Sequence, residues 1–196
     1  MTELNETDPG DGDALLVTDV QNDFLQGGAL AVAGGDEVVP VLNRYLRAFA
    51  GLPVYATRDW HPAGHCSFRE QGGIWPVHCV AGTHGAEFSS ALQLPDDVVI
   101  VSKATLAGAE AYSSFEGTGF DQTLRLANIS RLYIGGLATD YCILNTVRDA
   151  LLLGYRVCLL VDAIRAVNLD PQDGPRAEAE MIRLGARCVT LGNAGA

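Results

Sequence analysis

Acidic, basic, thiol and imidazole side chains follow four apolar segments of this sequence, each near the point where the segment ends. Asp19 follows residues 14–18, Asp59 and His61 follow residues 53–57, Lys103 follows residues 98–101, and Cys142 follows residues 131–134. A carboxylate can remove the proton of a thiol, and a lysine can stabilise both the carboxylate and the resulting thiolate. Together these residue types predict nucleophilic catalysis by the Cys142 thiol, with Asp19 as the base and Lys103 as the stabilising cation.

Cys142 ends the sequence GGLATDYC, a glycine-rich turn that leads into a helix predicted over residues 140–153. Free N–H groups and the positive end of a helix dipole lower the pKa of a thiol in the first turn. The same N–H groups can hold the oxyanion of a tetrahedral intermediate. The alternative interpretation is a small buried core residue, because cysteine is among the residues most often buried.

The four histidines of the chain all lie in one irregular stretch, residues 58–90, and Asp59 begins it. Asp59 and His61 have the i, i+2 spacing that presents two ligands on one side of a strand, and His65 and His78 follow. One carboxylate with two or three imidazoles suits zinc, iron or manganese. For any single histidine the alternative is an ordinary structural role. Phe24 and Trp75, also outside the periodic segments, are either core residues or walls around a flat ring.

The segments that must position these side chains alternate between strand length and helix length. Strands are predicted at 14–18, 53–57, 98–101, 131–134, 155–161 and 187–190, and helices at 36–50, 140–153 and 172–184. Continuous Val, Ile and Leu within the strands indicates burial on both faces. The sequence therefore predicts an α/β fold, a three-layer sandwich with a mostly parallel central sheet and helices on both faces. The carboxyl ends of such strands meet at one edge, where ligands bind.

Composition restricts the classes of function. With 196 residues, 48% of them hydrophobic, the chain fits a single domain over 1–196, of which the polar residues 1–12 are a predicted tail. The formal net charge of −11 disfavours nucleic acid as a partner, and no apolar run is long enough to span a membrane. Five widely spaced cysteines without an export signal favour reduced thiols and the cytoplasm. Apolar residues on the later helices also permit a homo-oligomer.

Five motifs, taken in order, resemble the nicotinamidase/pyrazinamidase branch of the isochorismatase-like cysteine hydrolases across residues 14–190. They are DVQNDF at 19–24 with Gly27-Gly28, TRDWHP at 57–62 with HCSF at 65–68, WPVHCVAGT at 75–83, Lys103, and GLATDYC at 136–142. The segment after Lys103 departs from many relatives, because residues 104–108 read ATLAG. That departure concerns the rim of the pocket more than the chemistry.

The resemblance implies a role for each matching residue. The implied catalytic triad is Asp19, Lys103 and Cys142; the implied metal ligands are Asp59, His61 and His78, and His65 matches a further ligand found in some members. It also implies a cis peptide bond between Leu137 and Ala138, so that the N–H groups of Ala138 and Cys142 form the oxyanion hole. Phe24 and Trp75 match residues that sandwich a pyridine ring.

The activity that the resemblance implies is hydrolysis of nicotinamide to nicotinate and ammonia through a thioester, in NAD salvage, with pyrazinamide also accepted. It implies one divalent metal ion, zinc first, with iron or manganese as alternatives. The nearest rival is an amide or ureido hydrolase of the same superfamily that shares the triad without the metal cluster. Isochorismatase itself lacks the nucleophilic cysteine, and a non-enzymatic binding module would leave Cys142 inert.

Overall fold

The computed structural model describes residues 9–191, so residues 1–8 of the predicted tail lie outside it. The strands are β1 (Asp13–Thr18), β2 (Val54–Asp59), β3 (Val99–Lys103), β4 (Arg131–Leu137), β5 (Arg156–Arg165) and β6 (Arg187–Val189). They form one sheet in the order β3-β2-β1-β4-β5-β6, and every neighbouring pair is parallel. The predicted α/β architecture is confirmed, and the sheet is wholly rather than mostly parallel.

Helices cover both faces of this sheet. They are α1 (Val38–Ala48), α2 (Phe120–Leu126), α3 (Leu144–Leu152) and α4 (Asp173–Leu184). Leu15 and Val17 of β1 belong to the core beneath α1, whereas Ala14 and Leu16 belong to the core shared with α2, α3 and α4. Because successive strand residues point to opposite faces, the four apolar residues at the centre of β1 serve both cores.

The element boundaries differ from the prediction where backbone pairing continues into polar residues. β2 extends to Asp59 and β3 to Lys103, so these two residues end their strands instead of following them. The predicted helix at 140–153 begins as a short π-helix, Thr139–Ile143. Helix α2 was not predicted, because its seven residues are too few to show a clear helical period. The prediction that every strand is buried on both faces is wrong for β3, an edge strand on which Val99 is 43% exposed.

The strand register brings the carboxyl ends of the central strands together. Thr18 is the register partner of both Thr57 and Gly136, and Asp59 is the partner of Lys103. A Cβ atom at Gly136 would lie 2.0 Å from the Thr18 carbonyl oxygen, so only glycine allows this close approach. The residues after β1 and β4 are therefore held directly beside the ends of β2 and β3.

The irregular segment predicted at residues 58–90 has little regular structure of its own. It contains two 3-10 turns, Arg69–Gln71 and His84–Ala86, and isolated bridges that join His61 to Val80 and Phe68 to Trp75. These bridges fold the segment over the carboxyl edge of the sheet. Among residues 9–191, no helix is long and apolar enough to cross a bilayer.

Candidate active site

Lys103 lies at the centre of the predicted triad. Its Nζ lies 3.0 Å from Asp19 Oδ2 and 3.5 Å from Cys142 Sγ, and it also forms an ion pair with Asp59. A fourth contact runs from Nζ to the Ala111 carbonyl oxygen at 3.3 Å. Asp19 and Lys103 are fully buried, and Cys142 is 6% exposed. The three residues that the sequence placed after separate strands are thus in direct contact.

Burial and pairing act in opposite directions on the two charged groups of the triad. Burial raises the pKa of Asp19, and the attraction of Lys103 and a hydrogen bond from Thr57 Oγ1 at 2.7 Å oppose that rise. Burial alone would lower the pKa of Lys103, but Asp19 and Asp59 together raise it well above its usual value. Lys103 is therefore a permanent cation between two carboxylates.

The electrostatics of Cys142 differ from the sequence prediction. Burial raises the pKa of the thiol well above its usual range, Lys103 lowers it, and the nearby carboxylates of Asp19 and Asp59 raise it further. The predicted lowering by a helix start is therefore wrong, because desolvation and two buried carboxylates outweigh it. The thiol is protonated at neutral pH and needs a base, and it donates a hydrogen bond to Asp19.

Asp59, His61 and His78 bring three ligand atoms within 4.8 Å of one another, and all three residues are buried. His78 Nδ1 donates to the Pro76 carbonyl oxygen at 2.8 Å, and burial lowers the pKa of His78, so its ring is neutral. His61 Nε2 is buried without a hydrogen-bond partner, 3.7 Å from Asp59 Oδ2. A carboxylate and two imidazoles fit a divalent cation, and the unpartnered nitrogen is the strongest sign of one.

His65 lies beside these three residues but not among them. Its Nδ1 lies 2.7 Å from Ser67 Oγ, its Nε2 donates to the Ala109 carbonyl oxygen at 3.0 Å, and its ring stacks on His61 with centroids 4.2 Å apart. Both ring nitrogens are thus engaged in hydrogen bonds. The remaining histidine, His84, is exposed and pairs with Glu87.

One pocket adjoins both groups of residues. Asp59, His78, Ala138 and Cys142 line its base, and its walls are Phe24, Leu30, Trp75, Tyr112, Tyr141 and Val167. The indole Nε1 of Trp75 donates to the Tyr112 hydroxyl at 3.0 Å, and its ring meets that of Tyr141 with centroids 4.9 Å apart. The pocket has the apolar and aromatic walls that suit a flat ring, and Phe24 and Trp75, which the sequence left as core residues or pocket walls, both line it.

The turn that carries Cys142 has the form that the resemblance implied. The peptide bond between Leu137 and Ala138 is cis. The Ala138 carbonyl oxygen accepts hydrogen bonds from the N–H groups of Tyr141 at 3.2 Å and Ile143 at 3.1 Å, which close the π-helix. Ala138 and Cys142 consequently both face the pocket.

Sequence reasoning missed Gln21, a fully buried amide that holds the end of β2. Its Nε2 donates to the carbonyl oxygens of Asp59 at 2.8 Å and Ala86 at 2.9 Å, and its Oε1 accepts from the Asp59 N–H at 2.8 Å. Thr57, Tyr112 and Tyr141 were also missed. Gln21 lies within the DVQNDF motif, and a polar side chain just after a buried strand was a usable signal.

Comparison with known proteins agrees with this geometry. The family model for the isochorismatase domain matches residues 13–191. Nicotinamidase of Escherichia coli is 40% identical over an alignment of 201 positions that covers 91% of this chain and 94% of that one. The crystal structure of Pyrococcus horikoshii pyrazinamidase in complex with zinc has a TM-score of 0.88 and 49% identity, covering 92% of this chain and 99% of that one. A protein of L. infantum crystallised with nicotinate has a TM-score of 0.84 and 32% identity, covering 92% and 93%.

The chain therefore belongs to the isochorismatase family. Within that family it belongs to the nicotinamidase/pyrazinamidase branch, as its similarity to the Escherichia coli and Pyrococcus horikoshii proteins shows.

Proposed function

We propose that this chain is a nicotinamidase, an amidohydrolase that converts nicotinamide to nicotinate and ammonia in NAD salvage and also accepts pyrazinamide. One observation carries the proposal. Cys142, in contact with Asp19 and Lys103, lies at the base of the same aromatic pocket that Asp59 and His78 line. A ring bound between Phe24 and Trp75 can then present its carboxamide to the thiol. The named relatives support this choice of substrate.

Asp59, His61 and His78 are the proposed ligands of one divalent ion, with zinc as the first choice and iron or manganese as alternatives. Their buried imidazoles and carboxylate suit these metals, and the Pyrococcus horikoshii relative was crystallised with zinc. When bound there, the ion supplies a fixed positive charge that attracts and orients a ring nitrogen. We propose that His65 is not a ligand, because both of its ring nitrogens already have hydrogen-bond partners.

The residues of the chain account for the acyl transfer itself. Asp19 accepts the thiol proton of Cys142, and the thiolate attacks the carboxamide carbon to form the C–S bond. Lys103 stabilises the thiolate at this stage. The electron pair of the C=O bond moves to oxygen, where the backbone N–H groups of Ala138 and Cys142 are the proposed donors. The raised pKa of Asp19 suits a group that must both take and return a proton.

Collapse of this intermediate completes the cycle. Protonated Asp19 gives its proton to the amide nitrogen, the C–N bond breaks, and ammonia leaves a thioester on Cys142. Asp19 then takes a proton from water, and the resulting hydroxide attacks the thioester carbon. The C–S bond breaks to release nicotinic acid, which loses its proton to solvent to become nicotinate, and the thiolate recovers its proton from Asp19.

The direct test is the release of ammonia and nicotinate from nicotinamide by the purified protein loaded with zinc. We expect equal amounts of the two products, and their loss in a Cys142→Ala variant. The matched assay with an N-carbamoyl amide and a ureido acid tests the rival hydrolase class. Turnover of either compound without turnover of nicotinamide would contradict the proposal.

Two further parts of the proposal concern the whole chain. We propose that the chain forms a single catalytic domain, since the family model matches residues 13–191 and the six-stranded sheet runs from Asp13 to Val189. We also propose a cytoplasmic enzyme, because all five cysteines are free thiols. Fractionation of the native source, followed with an antibody, tests the location.

A further inference from the structure

Asp23 joins its own loop to a segment that lies 56 residues further along the chain. Its Oδ2 accepts a hydrogen bond from the Cys79 N–H at 2.7 Å, and its Oδ1 accepts one from the Ala29 N–H at 3.2 Å. The main-chain carbonyl oxygen of Asp23 accepts a third hydrogen bond, from the Leu30 N–H at 2.9 Å. The proposed metal site and acyl transfer assign no role to this carboxylate.

On the distant segment, Cys79 connects the two histidines of the proposed metal site. It directly follows His78, and its carbonyl oxygen accepts a hydrogen bond from the His61 N–H at 3.0 Å. Cys79 is fully buried and has a φ angle of 45°, in the left-handed region that a residue with a Cβ atom rarely adopts. Such a conformation persists only where the surrounding contacts hold it. The hydrogen bond from the Cys79 N–H to Asp23 is one of those contacts.

On its own loop, Asp23 lies next to two walls of the substrate pocket. Phe24 directly follows it in the sequence, and Leu30 is the residue whose N–H binds the Asp23 carbonyl oxygen; both line the pocket. The rings of Phe24 and His78 lie with their centroids 5.6 Å apart. The carboxylate of Asp23 thus ties the loop that carries these walls to the segment that carries a proposed metal ligand.

Glycine at position 85 leaves the space that this carboxylate occupies. A Cβ atom at Gly85 would lie 2.1 Å from Asp23 Oδ2, so a residue with a side chain there would displace the oxygen. A Cβ atom at Gly28 would lie 2.4 Å from the Asp23 carbonyl oxygen, so the loop also passes close to Gly28. Contacts from two directions therefore fix both the side chain and the main chain of Asp23.

We propose that Asp23 is a positioning residue that holds His78 at a fixed distance from the walls of the ring pocket. The inference rests on the proposed metal site and substrate. A carboxylate accepts hydrogen bonds from backbone N–H groups about twice as strongly as a neutral acceptor does, so it holds both segments firmly. Because Asp23 acts on the backbone of the metal and pocket segments, its loss should affect the binding of metal and substrate more than the chemical step.

Zinc affinity, measured by chelator competition, and the steady-state constants for nicotinamide test this inference on the full chain. Asp23→Ala should lower zinc affinity by about 10-fold to 100-fold, the range found for partners that orient metal ligands. With zinc saturating, KM should rise while kcat stays within about threefold, the pattern of a lost binding interaction. Asp23→Asn has one side-chain oxygen in place of two, so it should fall between Asp23→Ala and the unchanged protein. Gly85→Ala should shift both quantities in the same direction, because its methyl group displaces the carboxylate.

Asp36→Ala is the matched control, because Asp36 is an exposed carboxylate that accepts a hydrogen bond from the Gln26 N–H of the same loop at 2.8 Å. It should change neither zinc affinity nor KM. Equal zinc affinity in Asp23→Ala and the unchanged protein would overturn the inference and leave the proposed function standing. A lower melting temperature and kcat with unchanged zinc affinity and KM would also overturn it, because that pattern belongs to a general loss of stability. Weaker zinc binding by Asp23→Ala, together with no turnover of nicotinamide by the unchanged protein, would support the positioning role and contradict the proposed function.

Discussion

The two halves of the candidate active site are built on opposite principles. In the catalytic trio of Asp19, Lys103 and Cys142, a buried cation lies between buried acidic groups and contacts each of them. In the metal trio of Asp59, His61 and His78, electron-pair donors converge and His61 Nε2 has no hydrogen-bond partner. The first arrangement is complete within the chain, whereas the second needs a cation from outside it.

Asp59 belongs to both halves, and this sharing explains how they are aligned. One carboxylate oxygen, Oδ1, contacts Lys103, and the other, Oδ2, faces His61. Asp59 and Lys103 are register partners on neighbouring strands, so the alignment follows from the sheet itself. In the proposed mechanism, the chain supplies the nucleophile and its proton transfer, and the metal trio holds the substrate.

The largest expected effect is on the first half of the site. Cys142→Ala should lower kcat by about 10⁴-fold or more, the scale on which loss of a nucleophile acts in other hydrolases. The measurement is steady-state release of ammonia from nicotinamide. Cys188→Ala, which removes an exposed cysteine of β6, is the matched control and should keep full activity. Substantial turnover by Cys142→Ala would rule out the thioester.

The second half of the site should respond differently. His61→Ala should reduce metal affinity by at least about 100-fold and raise KM, because one of the proposed metal ligands is removed. Metal content measured by mass spectrometry and affinity measured by chelator competition check this result. His84→Ala removes an exposed histidine and should change neither quantity.

A His65 variant tests whether His65 belongs to the metal trio. His65→Gln should retain one metal ion per chain, since both ring nitrogens of His65 already form hydrogen bonds, one with Ser67 and one with Ala109. Loss of one of those hydrogen bonds should lower the free energy of unfolding by about 1 kcal/mol, measured by urea denaturation. A variant that purifies without metal would place His65 among the ligands and break the distinction between the two histidines.

The raised pKa of Cys142 predicts the pH dependence of its alkylation. Because the folded protein holds the thiol protonated, the thiolate fraction is small at neutral pH and grows about tenfold with each pH unit until the pH nears the pKa. Iodoacetamide should therefore label exposed Cys188 before Cys142 at pH 7, and labelling of Cys142 should accelerate steeply at alkaline pH. Peptide mass spectrometry follows both sites. Faster labelling of Cys142 at pH 7 would mean that the thiolate is the resting form.

A further, modest effect concerns the hydrogen bond that supports the base. Thr57→Val keeps the shape of the side chain and removes the donor to Asp19 Oδ1. Loss of a hydrogen bond to a charged group costs about 1.5 kcal/mol, or roughly tenfold in kcat if the bond orients Asp19 for proton transfer. Metal content should not change, which separates this effect from that of His61→Ala. Thr57→Ser should restore most of the activity.

The sequence by itself determined which residues could meet. Unbroken apolar runs predicted the parallel sheet, and Asp19 and Cys142 follow the two central strands, β1 and β4. Local order was sufficient because the carboxyl ends of parallel strands share one edge. The ends of the strands and the short elements were harder to predict from the sequence. β2 and β3 continue to Asp59 and Lys103 because backbone pairing extends into polar residues, where the change in side-chain polarity predicted an end.

Only the tertiary structure decided the charge states and the division of labour among similar residues. Spacing suggested a lowered pKa for Cys142, whereas burial beside two carboxylates raises it. The sequence also left open whether His65 joins His61 as a metal ligand, but of the two only His61 has a buried nitrogen without a hydrogen-bond partner. Desolvation and hydrogen bonding depend on atoms distant in the chain, such as the Ala109 carbonyl oxygen, which accepts a hydrogen bond from His65 Nε2. A linear pattern holds no information about these contacts until the fold brings the atoms together.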